Sequence, residues 1–130
     1  PIKPRTKSMP KILIVEDNED NIVTVQAILG DQYSFSIAKD GETGLRKVIE
    51  EQPDLVLLDV SLPKKDGYQV IKEIRSDERL NTIYVVALTA KAMIGDREAL
   101  IKAGCNDYVS KPIEAEVLRS VVEKFVKVKA

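Results

Sequence analysis

The sequence predicts an α/β fold, a doubly wound sheet of five parallel strands with helices on both faces. Three observations carry that expectation. Short apolar runs such as Lys11-Ile12-Leu13-Ile14-Val15 are rich in β-branched residues and lack the alternation of a sheet with one wet face. Each run is followed by a segment whose apolar residues fall at helical spacing. The two patterns alternate every 20 to 30 residues or so, the rhythm of repeated β-α units.

The elements follow in order. Residues 1–9 carry two prolines, Lys3, Arg5 and Lys7, and no apolar period, so they are expected to be a flexible leader or linker, with the folded domain spanning 10–130. The first strand ends in Glu16-Asp17-Asn18. Ile22, Val25, Ile28 and Leu29 then define a helix that Gly30 closes. Ser34-Phe35-Ser36-Ile37-Ala38 alternates as an edge strand, and Asp40-Gly41 opens a helix with Leu45, Val48 and Ile49 on its inner stripe. Pro53 resets the chain into Asp54-Leu55-Val56-Leu57-Leu58-Asp59-Val60, a strand that is apolar up to a single carboxylate. A loop over 61–67 leads to a helix lined by Gly67, Val70, Ile71 and Ile74, and Ile83–Leu88 forms a fourth strand running into Thr89. Residues 92–103 read as a helix stopped by Gly104, Tyr108-Val109-Ser110 as a short fifth strand, and Val117, Leu118, Val121, Val122 and Phe125 as the face of a last helix that runs to the end of the chain.

Composition narrows the chemistry. The 130 residues contain no histidine, which excludes a Ser-His-Asp triad, an HExxH zinc site and a phosphohistidine on this chain. One cysteine cannot form an internal disulfide, and Cys105 has no acidifying motif around it, so it reads as a small filler in a reducing compartment, by default the cytoplasm. No run is long enough to cross a membrane, and the first residues lack the apolar core of a signal peptide. The 20 basic and 21 acidic residues argue against a dedicated nucleic-acid binder. Without residues 1–9 the balance is 17 bases against 21 acids, which makes a cation a plausible ligand.

In open sheets of this kind ligands bind beyond the carboxyl ends of the strands. Four of the five predicted strands end in a reactive polar group: Glu16 and Asp17, Asp59, Thr89, and Lys111. Taken singly, Glu16 and Asp17 could serve only the first helix, Thr89 could be a cap, and Lys111 a solvated lysine. Asp59 is harder to dismiss, because a carboxylate at the rim of an apolar layer is costly without compensation. If the first and third strands are neighbours, the three acids meet in one crevice, where oxygen ligands alone suit a hard cation such as Mg²⁺. With Lys111 and a hydroxyl, these are the parts needed to hold a phosphoryl group.

Ile14-Val15-Glu16-Asp17-Asn18, Asp54–Val60 followed by Leu62-Pro63 and Asp66-Gly67, Ala87-Leu88-Thr89-Ala90, and Asp107-Tyr108-Val109-Ser110-Lys111-Pro112 resemble the receiver domains of two-component response regulators, over residues 11 to 126. The resemblance implies a flavodoxin-like (βα)5 fold with strand order 2-1-3-4-5. It implies Asp59 as phosphoacceptor from a histidine kinase or histidine phosphotransfer domain. Asp17, Asp59 and the Ser61 backbone carbonyl are then Mg²⁺ ligands, with Mn²⁺ as a substitute, and Glu16 acts through bound water. Lys111 pairs with the phosphoryl oxygens, Thr89 and Tyr108 form the switch pair, small Ala90 keeps the pocket open, and Lys111-Pro112 is cis.

It further implies that Ser61 and Lys91 tune phosphate lifetime, that a kinase docks over the first helix and the loop near Pro112-Ile113, and that the face made by the fourth helix, fifth strand and fifth helix (α4-β5-α5) changes on phosphorylation. Glu16 stands where many receivers have aspartate. No output domain is expected after residue 113, so a downstream target or a fused output lies elsewhere. Ala92–Arg97 and the basic leader resemble receivers fused to hybrid kinases, a run that single-domain regulators share. A Mg-dependent phosphatase with an aspartyl nucleophile is the alternative, but it needs a second aspartate where Ser61 stands. A nucleotide or flavin module lacks any GxGxxG or GxxxxGK[ST] after a strand.

Overall fold

The computed structural model describes residues 5–62, 64–90 and 94–129. The elements are β1 (Arg5–Lys7), β2 (Lys11–Val15), α1 (Glu19–Leu29), β3 (Ser34–Ala38), α2 (Gly41–Glu51), β4 (Leu55–Asp59), α3 (Gly67–Ser76), β5 (Tyr84–Thr89), α4 (Ile94–Ala103), β6 (Asp107–Ser110), α5 (Ala115–Phe125) and β7 (Val126–Val128). The main sheet is parallel and ordered β3-β2-β4-β5-β6, which is the expected 2-1-3-4-5 once β1 is set aside.

The period of two along the central strands explains why neither face can be left open. Leu13, Val15, Val56, Leu58, Val85 and Ala87 point into one core, closed by Val48 of α2, Val70, Ile71 and Ile74 of α3 and Leu100 of α4. Ile12, Ile14, Leu55, Leu57, Val86 and Leu88 point the other way, under Ile22, Val25 and Leu29 of α1 and Leu118, Val122 and Phe125 of α5. The helices start where side chains accept backbone N–H groups: Asn18 from Asn21 at 3.1 Å, Asp40 from Thr43 at 2.8 Å and Asp66 from Gln69 at 3.0 Å. Gly30 ends α1 with φ of 78°, the left-handed region where glycine is favoured. Gly67 answers a different need, since a Cβ there would lie 2.5 Å from the Val60 Cα, and its absence lets α3 begin against the end of β4.

Both ends of the chain differ from the sequence expectation. Arg5–Lys7, read as part of a flexible leader, form a strand that pairs in parallel with Val126–Val128, so α5 stops at Phe125 instead of running to the end of the chain. Three polar-rich residues have no period to read, and their partner lies more than a hundred residues away. The start of the helix expected over 92–103, with Lys91, and the Pro63 of the loop lie outside the described residues. None of the helices among the described residues is long and apolar enough to cross a membrane. Cys105 is buried in the α2-α3-α4 core, and burial pushes its thiol up to about 12.

Arg75, which carried no signal in the sequence, closes the edge of the sheet opposite the strand carboxyl ends. Its half-buried guanidinium donates to the carbonyls of Gly104 (2.8 Å), Asn81 (3.0 Å) and Ile83 (2.8 Å) and to Asn106 Oδ1 (2.9 Å), which in turn accepts from the Val85 N–H at 2.8 Å. Arg75→Ala strands those acceptors and is expected to lower the unfolding free energy by about 3 kcal/mol, the scale of lost charge-assisted bonds in a part-buried site. Urea denaturation followed by circular dichroism measures it.

Candidate metal and phosphoryl site

The site is assembled by register. Val15 pairs with Leu58 across β2 and β4, so the next residues, Glu16 and Asp59, stand side by side where the strands end. Asp59 pairs with Leu88 of β5, and Thr89 pairs with Ser110 of β6, one residue before Lys111. The Lys111 N–H donates to the Thr89 carbonyl at 2.8 Å, which anchors the turn that carries the lysine, and the Lys111-Pro112 peptide is cis.

Lys111 then reaches back over the sheet. Its Nζ donates to Glu16 Oε2 at 3.1 Å and to Asp59 Oδ2 at 3.2 Å, joining β6 to both acidic strand ends. Glu16 is 1% exposed and Asp59 4%, so neither carboxylate can rely on water. Glu16 Oε1 also accepts from the Asn18 N–H at 3.3 Å and from Asn21 Nδ2 at 3.2 Å. One side chain thus both supports the start of α1 and faces Lys111. Asp59 Oδ1 accepts from the Ser61 N–H at 2.9 Å. Asn21 is a site residue the sequence reading missed; its position one turn beyond Asn18, on the side of α1 facing the acids, was the available signal.

Burial pushes the Glu16 carboxyl above its ordinary range; the Asn21 hydrogen bond opposes this, the negative charge of Asp59 adds to it, and Lys111 pulls it back. Burial by itself would push the Lys111 ammonium down, but Glu16 and Asp59 outweigh it and hold Lys111 above the usual lysine value. One ammonium thus compensates two acids incompletely. Exposed Asp17 completes the cluster, with carboxylate oxygens of Glu16, Asp17 and Asp59 within 4.8 Å of one another. An all-oxygen donor set with surplus negative charge fits a hard divalent cation such as Mg²⁺ or Mn²⁺.

Thr89 is buried, while Ala90 is exposed; together with Val60, Ser61, Tyr68 and Asp96 they line a cleft of about 190 Å³. Tyr108 stands in β6, beside the strand that ends in Thr89. It pairs with Ala87, packs half-buried against the α2-α3-α4 core, and has the Arg97 guanidinium 5.2 Å above its ring.

A doubly wound parallel sheet whose carboxyl edge gathers three acids and a bridging lysine defines an α/β domain with one compact charged cluster at its strand ends. The family model of the response regulator receiver domain matches residues 12–123. Over 120 residues the chain is 36% identical to the polar-differentiation response regulator DivK of Brucella anthropi, covering 91% of this chain and 98% of DivK. It is equally 36% identical over 126 residues to the sensor protein GacS of Pseudomonas syringae, covering 94% of this chain but only 14% of that longer protein. Among solved structures, the receiver domain of the sensor histidine kinase PA1611 from Pseudomonas aeruginosa, with magnesium coordinated in its active-site cleft, superposes with a TM-score of 0.82 at 36% identity, covering 90% of this chain and 97% of that one. The Mn²⁺-bound response regulator Rcp1 superposes with a TM-score of 0.74 at 31% identity, covering 88% and 89%. This chain belongs to the response regulator receiver domain family and is a receiver domain of two-component signalling.

The raised Glu16 value has a defined consequence for the metal-free domain. An acid with a higher pKa in the fold than in the unfolded chain takes stability away as pH rises. The loss begins near the ordinary glutamate value and is complete above the raised one. Asp59→Asn removes the negative neighbour and is expected to lower the Glu16 pKa and flatten that slope. A carbon-13 NMR titration of the Glu16 carboxyl, paired with urea midpoints over pH about 4 to 8, reads both.

Proposed function

We propose that Asp59 is the phosphoacceptor of a phosphorelay, taking a phosphoryl group from the histidine of a kinase or phosphotransfer domain. The supporting observation is the convergence of Asp59, Glu16 and Asp17 under the Lys111 ammonium, which lies 3.2 Å from Asp59 Oδ2. An Asp59 carboxylate oxygen attacks phosphorus, the bond from phosphorus to the donor's imidazole nitrogen breaks, and the imidazole leaves with the electron pair, giving an acyl phosphate. Glu16, Asp17, Asp59 and the Ser61 backbone carbonyl would hold Mg²⁺ or Mn²⁺, and the bound ion supplies neutralisation of the phosphoryl oxygens. Lys111, held above the usual lysine value by the two acids, exchanges part of its pairing with Glu16 and Asp59 for the phosphoryl oxygens. Small Ala90 leaves the cleft beside Thr89 open to the new group.

In this reading the domain catalyses only its own phosphorylation and dephosphorylation. Thr89 moves to bond the phosphoryl group, and Tyr108 leaves the Arg97 stack for the space vacated, changing the face made by α4, β6 and α5. That face signals to a target protein or a fused output. A buried, free Cys105 thiol fits a reducing compartment, and we assign the domain to the cytoplasm.

Incubation with Mg²⁺ and a small-molecule phosphoryl donor is expected to add the mass of one phosphoryl group, read by intact mass spectrometry. Asp59→Asn or removal of the metal by a chelator abolishes it. Thr89→Ala leaves the label in place but removes the chemical-shift response at Tyr108 and α5. Undiminished, metal-independent labelling of Asp59→Asn overturns the assignment, and turnover of many substrate equivalents moves it to the aspartyl-phosphatase class.

A further inference from the structure

At the end of the sheet remote from Glu16 and Asp59, a third buried carboxylate is held by a different set of cations. Asp54 is 3% exposed. Its Oδ2 accepts from the Lys11 N–H at 2.8 Å. Its Oδ1 has Lys7 Nζ at 2.9 Å and Arg5 Nη1 at 3.9 Å, but no donor among the described residues points along a hydrogen-bonding direction, so their compensation at that oxygen is electrostatic. Those two cations come from β1. The same short strand pairs with β7, immediately after α5, and the Lys129 N–H donates to the Lys7 carbonyl at 2.8 Å. Arg5 also lies 5.4 Å above the Tyr84 ring and donates to the Thr82 carbonyl at 3.3 Å, and Tyr84 packs on Phe125, the last residue of α5.

We propose that Arg5–Lys7 is a charge-latched strap that ties the chain entering the domain to the carboxyl end of α5. Two strands of three residues pair too weakly to hold by themselves. What distinguishes this pair is the buried Asp54 carboxylate, which would keep a single hydrogen bond if the strap left. Strand pairing sets the register, and the attraction to Asp54 supplies the grip. Any chain joined before Arg5 is then coupled to α5 through β7 instead of trailing from it. This inference is independent of the role given to Asp59.

The latch makes the strap's stability sensitive to salt, because Arg5 and Lys7 are partly solvent-exposed and their attraction to Asp54 is screened. Amide hydrogen exchange on the full chain reads it. In the Arg5→Ala/Lys7→Ala variant, the amides of Lys127 and Lys129 are expected to exchange at least tenfold faster, while those of Leu57 and Val86 in the sheet centre change much less. Wild type in about 1 M salt moves in the same direction. Asp54→Asn, which removes the anion, loosens the same two amides, and adding it to the double variant gives no further acceleration. Unchanged protection at Lys127 and Lys129 overturns the strap. Acceleration shared equally by Leu57 and Val86 makes these residues part of the global fold only, and additive effects of Asp54→Asn with the double variant overturn the charge latch.

Discussion

Glu16 and Asp59 end adjacent strands almost without access to water, and the Lys111 ammonium that bridges them decides how the rest of this edge is built. A lysine can serve both acids only if β6 delivers it across β5, which requires Thr89 opposite Ser110 and the turn at Lys111-Pro112. The acids can stand side by side only if β2 and β4 are direct neighbours, which forces β3 to the outside and sets the winding reversal between them. The strand order and the site are one constraint. A slip of one residue in the β2-β4 register would turn both apolar layers inside out as well as separating Glu16 from Asp59.

That constraint explains why so much was legible. Strands buried on both faces leave uninterrupted apolar runs, and a carboxylate at the rim of such a run is costly, so Asp59 stood out by itself, while Glu16 and Asp17 gained weight only from meeting it in one crevice. Caps at Asn18, Asp40 and Asp66 sat where local chemistry demanded them. What escaped was the non-local part. Arg75 is an ordinary basic residue in the last turn of α3 until Gly104, Ile83 and Asn106 arrive from elsewhere in the chain to receive it. Asp54 read as the first residue of a strand, but its role is set by Arg5 and Lys7, whose own strand has no periodicity to betray it. The coupling of Tyr108 to Thr89 came from resemblance alone; here Tyr108 lies under the Arg97 guanidinium, two residues before the strand partner of Thr89.

The two buried carboxylate systems divide the molecule by function. At the carboxyl edge, three acids face one lysine, an arrangement left short of positive charge and therefore open to a cation. At the opposite end, one acid faces two cations and a backbone N–H; its charge is matched although its Oδ1 accepts no hydrogen bond among the described residues, which is the balance of the proposed clamp. Glu16, Asp59 and Asp54 are all buried while Asp17 is exposed, and the ratio of acids to cations is what differs between the two ends.

The same comparison bears on how a change at one end could be felt at the other. β6 carries Lys111 at its end and feeds directly into α5, whose far end passes through Phe125 into β7 and the Arg5–Lys7 strand. A dianion beside Lys111 would redistribute the pairing that now fixes the start of this path, while the Asp54 clamp fixes its finish. On the two proposals made above, Lys111 would hold the start of α5 and the Arg5–Lys7 strap its finish, so a phosphoryl group at Asp59 and the chain beside Asp54 would act on opposite ends of one helix.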